Sequence, residues 1–201
     1  YYHLSVVTQN TERVLRQFAE RVIKAARLNL GATRTITFND GKKRRRRQVS
    51  SGKLKDSLDF ELLVKQNRNT KGHFQSGFNY EMSFEMLDYG QFIDEGVDGV
   101  KYKVQGGSRF GFTNKYPNMG AIKKMVEAPQ FKIRDFKTGS FLPKNKTTIK
   151  NATFLISRSI YRKGIPKSNF FTAPFALEFE KLPLELLKGL DSDLDNILAD
   201  L

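Results

Sequence analysis

Asn79-Tyr80-Glu81-Met82-Ser83-Phe84-Glu85-Met86 alternates polar and large apolar side chains without a break. Successive side chains of an extended chain point to opposite faces. Tyr80, Met82, Phe84 and Met86 therefore share one face, and Asn79, Glu81, Ser83 and Glu85 the other. This pattern predicts a half-buried strand, spanning Phe74 to Phe84. Asp59 to Val64 predicts a second strand just upstream, and the polar run Gln66-Asn67-Arg68-Asn69-Thr70-Lys71-Gly72 separates the two.

Further upstream, Val14, Leu15, Phe18, Val22, Ile23 and Ala26 recur at three- and four-residue spacing, with Arg13, Arg16, Arg21 and Lys24 between them. This predicts an amphipathic helix over Thr11 to Leu30. Asn10 or Thr11 can cap its start and Gly31 can end it. Thr33-Arg34-Thr35-Ile36-Thr37-Phe38 is β-branched and alternating, and Asn39-Asp40-Gly41 is a turn signal. Lys42 to Arg47 then gives six consecutive cations, so residues 33–49 read as a hairpin arm with a basic return strand. Ser50 to Leu58 reads as a turn and short linker, and Met86 to Glu95 as a short helix ending at Gly96.

Residues 97–147 are broken by Gly99, Gly106, Gly107, Gly111 and Gly139. They read as a loop-rich insertion with little core of its own, apart from a short helix from Asn118 to Glu127. Loops of that length are usually functional or ordered by a partner. Lys150 to Tyr161 predicts a second amphipathic helix, with Ala152, Leu155, Ile156 and Ile160 inward. Ala173 to Leu201 predicts a last, acidic helix, with Thr172 as N-cap, Pro174 in the first turn and Pro183 splitting it. Helical and strand patterns are both present, and the chain is read as one domain over 1–201.

The 201 residues carry a net charge of +14. From Glu178 onward seven acids face two lysines, so that tail is −5 and residues 1–177 are +19. A basic body suggests a polyanion or an acidic partner surface. There is no cysteine, which excludes disulfides, thiolate nucleophiles and cysteine-based zinc sites within these residues. His3 and His73, the two histidines, stand far apart, so no multi-histidine metal site and no cofactor is expected. The start, Tyr1-Tyr2-His3-Leu4-Ser5, lacks the basic and apolar regions of a signal peptide. No apolar run is long enough to span a membrane.

Four stretches are candidates for chemistry or recognition. Lys42, Lys43, Arg44, Arg45, Arg46 and Arg47 suit nucleic-acid phosphates without base readout, or an acidic protein neighbour. A solvated arm is the plain alternative, and the acidic tail from Glu178 onward offers a protein partner within the chain's own copies. Gly106-Gly107-Ser108-Arg109-Phe110-Gly111 lacks the Gly-Lys-Ser/Thr ending of a phosphate loop and reads as a plain loop. Asp94 and Glu95, near Asp88 and Asp98, could in principle hold Mg²⁺ for a nuclease, but surface charge or an interface ion pair is the stronger reading. Phe170 and Phe171 are adjacent, so either one lies inside and the other against a partner chain, or both tuck under a loop. No catalytic or metal-ligating residue is assigned.

Three motifs in order carry a resemblance. Ser51-Gly52-Lys53-Leu54-Lys55-Asp56-Ser57, then Tyr89, Phe92, Glu95 and Gly96, then Gly164, Phe170, Phe171 and Ala173 or Ala176, follow the pattern of the tail-component or neck family of lambdoid-type tailed bacteriophages. The resemblance covers roughly residues 11–30, 50–96 and 150–180. The basic hairpin, the 97–147 insertion and the acidic C-terminal helix depart from a minimal member. It implies an α+β domain, with a small antiparallel sheet and a long helix packed across it. It also implies a structural virion protein, made in the host cytoplasm, without catalysis. Such a protein forms a ring at the head–tail junction and joins portal or adaptor to tail. On that view Tyr89, Phe92, Glu95, Phe170, Phe171 and Phe175 are candidate oligomer or partner contacts. A sequence-independent nucleic-acid-binding protein acting through the basic hairpin is the alternative.

Overall fold

α1 (Gln9–Gly31) carries the stripe its spacing predicts, with Leu15, Phe18, Val22, Ile23 and Ala26 buried. The computed structural model describes residues 9–47, 52–68, 74–135 and 137–199. His3, His73, Ser51 of the first motif, the end of the hairpin arm and the last two residues lie outside them, as do the side chains of Arg46 and Arg47.

The chain continues as β1 (Thr33–Thr37), β2 (Lys43–Arg47), α2 (Lys53–Asp56), β3 (Asp59–Arg68), β4 (Phe74–Glu85), α3 (Tyr89–Glu95) and β5 (Val97–Asp98). Then come α4 (Met119–Glu127), α5 (Lys146–Lys163), β6 (Gly164–Ile165), α6 (Thr172–Phe179) and α7 (Leu182–Ala199). The architecture is α+β, with antiparallel strand pairs β1–β2, β3–β4 and β5–β6 in place of one sheet. Where the sequence reads as one domain, the chain folds into two compact units.

The first unit comprises Tyr1–Thr33, Arg47–Gly90 and Asn169–Leu201. β3 and β4 pair with Phe60 opposite Phe84 and Leu62 opposite Met82. These apolar side chains and Tyr80 meet Phe18 and Val22 of α1, so the long helix lies across the hairpin's apolar face. Glu61, Glu81, Ser83 and Glu85 stay exposed, as the alternation predicts. The ladder extends through Arg68, so part of the expected polar loop is strand. Phe18 packs edge-on to Phe84 and Phe175, with centroids 6.3 and 5.8 Å away. Burying such a ring contributes about 2–3 kcal/mol.

The second unit comprises Arg34–Arg46 and Gln91–Ser168. Residues 97–147, with little core of their own, are expected to order against a neighbouring subunit; part of the segment instead finds its core within the chain. Ile122 and Val126 of α4 and Ile133 are buried against Ile149, Ala152, Ile156 and Ile160 of α5. Tyr161 stacks on Tyr116 at 4.3 Å and donates a hydrogen bond to the Thr113 carbonyl. Part of the segment therefore packs on α5 of its own chain.

Three local expectations change, and a fourth, the split of the last helix near Pro183, holds. The linker before Leu58 contains the short helix α2, entered through Gly52 at φ 80°. Leu155 is exposed, because the inward stripe of α5 passes through Thr153 and Ser157. Thr172 is not the cap of α6 but its first residue, preceded by Phe171. The last helix divides at Glu180–Lys181, and Pro183 sits in the first turn of α7, where its missing N–H costs no intrahelical bond.

Candidate functional site

The residues of the first motif build a corner. Leu54 is buried, and the Ser57 hydroxyl donates to the Leu54 carbonyl at 3.0 Å while accepting from the Leu87 amide at 3.2 Å. The serine thus ties α2 to the chain leaving β4. A Cβ on Gly90 would stand 3.0 Å from Leu54 Cδ1 and 2.6 Å from Met86 Sδ, so this corner closes because residue 90 has none.

The second and third motifs meet in the second unit, where residues 96–99 cross residues 162–167. Val97 pairs with Ile165 and Asp98 with Gly164. Gly96 has φ +76°, and a Cβ there would lie 2.8 Å from the Ile165 carbonyl oxygen and the Lys167 amide. Gly164 has φ +74°, and its Cβ would run into the Val97 carbonyl. Two backbones approach this closely only where side chains are missing.

The basic hairpin is fastened to this crossing by its turn. Asn39 Nδ2 donates to the carbonyls of Lys163 and Val97, at 2.9 and 3.3 Å. The Asp40 carboxylate takes Lys163 Nζ at 2.8 Å. That hydrogen bond, helped by the Lys42 amide, holds the Asp40 carboxyl below its ordinary range. The side chains of Lys42, Lys43, Arg44 and Arg45 are exposed, and the Arg44 guanidinium lies over the Phe38 ring at 5.4 Å. The anchor residues carry the turn signal in the sequence; their long-range partners do not show there.

Of the second motif, Tyr89 and Phe92 are exposed on α3. Phe92 stacks edge-on against Phe110 at 4.5 Å, and Glu95 pairs with Arg109 at 2.6 Å. The glycine-rich loop is pinned beside them, since Ser108 Oγ donates to the Gly96 carbonyl at 2.8 Å. Asp94 is buried and Asp98 accepts from the Val104 amide at 2.8 Å. Among the described residues no three acidic or histidine side chains gather as a metal set.

Phe170 and Phe171 differ in burial, but both pack within their own chain. Phe170 is fully buried within its chain, which leaves its ring no surface for a partner. Phe171 is half-buried in the first unit's aromatic cluster, 5.3 Å from Phe84. Phe171, Phe175 and Phe179 stack at four-residue spacing, with centroids 5.9 and 5.7 Å apart, and Phe179 ends the row exposed.

One acid has a role that its sequence neighbourhood conceals. Asp193 stands in the acidic tail, yet it is buried and binds the start of α1. A signal exists: Leu182, Leu186, Gly189 and Asp193 recur every three or four residues, which puts an acid on the inward stripe. Comparison with protein-family models, curated proteins and solved structures finds no match.

Proposed function

We propose that this chain is a structural virion protein of a tailed bacteriophage, forming a ring at the head–tail junction that joins portal or adaptor to tail. The observation that carries the reading is the glycine crossing. The second and third motifs of the resemblance, 68 residues apart between Gly96 and Gly164, contact one another backbone to backbone. Residues of the first motif likewise hold a corner together. The motifs behave as fold-defining positions, which is what a family of scaffolding rings would retain. Exposed apolar side chains on α3, α5, α6 and α7 give such a protein surface to bury on assembly.

Electron microscopy of the purified chain tests the proposal: closed rings are expected. The exposed cations of the hairpin favour a second reading, sequence-independent nucleic-acid binding. A monomer that binds duplex DNA and never forms a ring would replace the first reading with the second.

A further inference from the structure

α7 presents two apolar faces. One, through Leu182 and Leu186, packs inward on α1. The other carries Leu187, Leu190, Leu194 and Leu198, which are 64, 48, 57 and 68% exposed. The four lie at i, i+3, i+7 and i+11, one continuous stripe. Asp191 and Asp195 border it. These four leucines lie beside the face that meets α1, and they leave apolar surface that folding of the single chain does not bury.

α5 offers the complementary surface. Phe154 and Leu155 are 49 and 61% exposed on the side away from its core stripe. Lys150 and Arg158 stand one turn before and one turn after Phe154. Among the described residues none of Lys150, Arg158, Asp191 and Asp195 takes part in an ion pair.

We infer that the leucine face of α7 docks on the Phe154–Leu155 face of α5 in a second copy of this chain. The inference rests on the ring reading and names its contact. Charge decides the occupant: α7 against α7 would set Asp191 and Asp195 against their own copies, and α5 against α5 would oppose cations. Acid-bordered leucines meeting cation-bordered aromatics satisfies both borders. Because the two patches differ, the contact is heterologous, and it propagates from copy to copy until the rotation closes.

Complementation tests it. One variant carries Leu187→Ser and Leu194→Ser, the other Phe154→Ser and Leu155→Ser; all four positions are exposed, and circular dichroism checks that both fold. Sedimentation then measures each alone and mixed. Each variant alone should be monomeric, and the mixture should form a one-to-one dimer and nothing larger, since each member keeps one intact face. A charge swap adds a second arm. Asp191→Lys with Asp195→Lys should abolish assembly, and adding Lys150→Glu and Arg158→Glu to the same chain should restore it. Variants that assemble like the wild type would overturn this contact and leave the ring reading standing. Loss of assembly in the α7 variant alone would mean that α7 pairs with itself, and would also overturn it. A wild-type chain that never assembles would remove the ring reading together with the contact.

Discussion

Asp193 of α7 accepts hydrogen bonds from the amide and the hydroxyl of Thr11, at 3.0 and 2.7 Å, and so caps α1 from a distant part of the chain. Its other oxygen accepts from the Asn10 amide at 3.0 Å. The first amides of a helix have no partner within it, and a carboxylate is favoured at that positive end. Gly189, one turn before Asp193, makes the approach possible: a Cβ there would sit 3.3 Å from Val14 Cγ2.

Removing this cap should be costly. Asp193→Ala leaves buried donors unpaired, and a loss of about 2–3 kcal/mol is expected in urea unfolding. The pH dependence has a definite sign. Burial by itself would raise the Asp193 carboxyl, but the hydrogen bonds from Thr11 and Asn10 outweigh it and hold the group below its ordinary value of 3.8. Its contribution is therefore complete above the unfolded value and disappears as pH falls through the lower folded value. Wild type minus Asp193→Asn stability should be flat above about pH 5 and shrink towards pH 2. A difference that grows on acidification would refute this assignment.

Glycine positions separate by what surrounds them. Gly164 and Gly107 both have positive φ, +74° and +81°. A Cβ on Gly164 meets the Val97 carbonyl, whereas one on Gly107 meets open space. Gly107→Ala should cost only about 1 kcal/mol, the strain of the left-handed region. Gly164→Ala adds a backbone collision at the crossing, and a loss of about 4 kcal/mol or more is expected. Equal melting temperatures for the two variants would mean that the crossing is looser than its geometry requires.

The elements legible from the sequence are those with a clean period. Asn79 to Met86 alternates, and its strand forms with the expected faces; α1 and the helix after Asn118 lie within two residues of their predicted starts. What the sequence hides depends on partners far along the chain. Asp193 resembles solvated charge because its donors lie 182 residues away. The core under residues 97–147 does not show because Ile122, Val126 and Ile133 find their partners on α5. Period alone places Leu155 inward because it continues the apolar spacing from Ala152, while Thr153 and Ser157 hold that face. Of the candidate interface residues, the buried Phe170 cannot be told from the half-buried Phe171 by type, since only packing distinguishes them.

That distinction can be measured. Phe170→Ala empties a fully enclosed site, so a loss of about 3–5 kcal/mol is expected, and the chain should lose its cooperative fold before any effect on assembly is readable. Phe179→Ala, at the exposed end of the aromatic row, should change stability by less than about 1 kcal/mol. If the row's end is covered in the ring, Phe179→Ala weakens assembly while thermal unfolding of the monomer hardly moves. A mild Phe170→Ala combined with a severe Phe179→Ala would invert this order and place the aromatic core elsewhere.

The hairpin cations admit the sharpest division between protein and nucleic-acid use. Asn39 and Asp40 anchor the turn, so the return strand is held in place while Lys42 to Arg45 face solvent. An acidic neighbour and a duplex would both bind such a strand, and salt weakens both. The resemblance favours protein contact, since a duplex passing through a ring should be held loosely, and the acidic tail offers a protein partner. If the acids of α7 are engaged by α5 of the next copy, that partner is occupied and the phosphate reading gains ground. Replacing Arg44, Arg45, Arg46 and Arg47 by Ser should then leave ring formation intact. It should also lower the salt slope of DNA binding by up to about 0.9 for each phosphate that is no longer neutralised, with no dependence on base sequence. Sedimentation reads the rings and a fluorescence titration at several salt concentrations reads the slope. Rings that fall apart while the DNA slope stays unchanged would return the hairpin to protein contact.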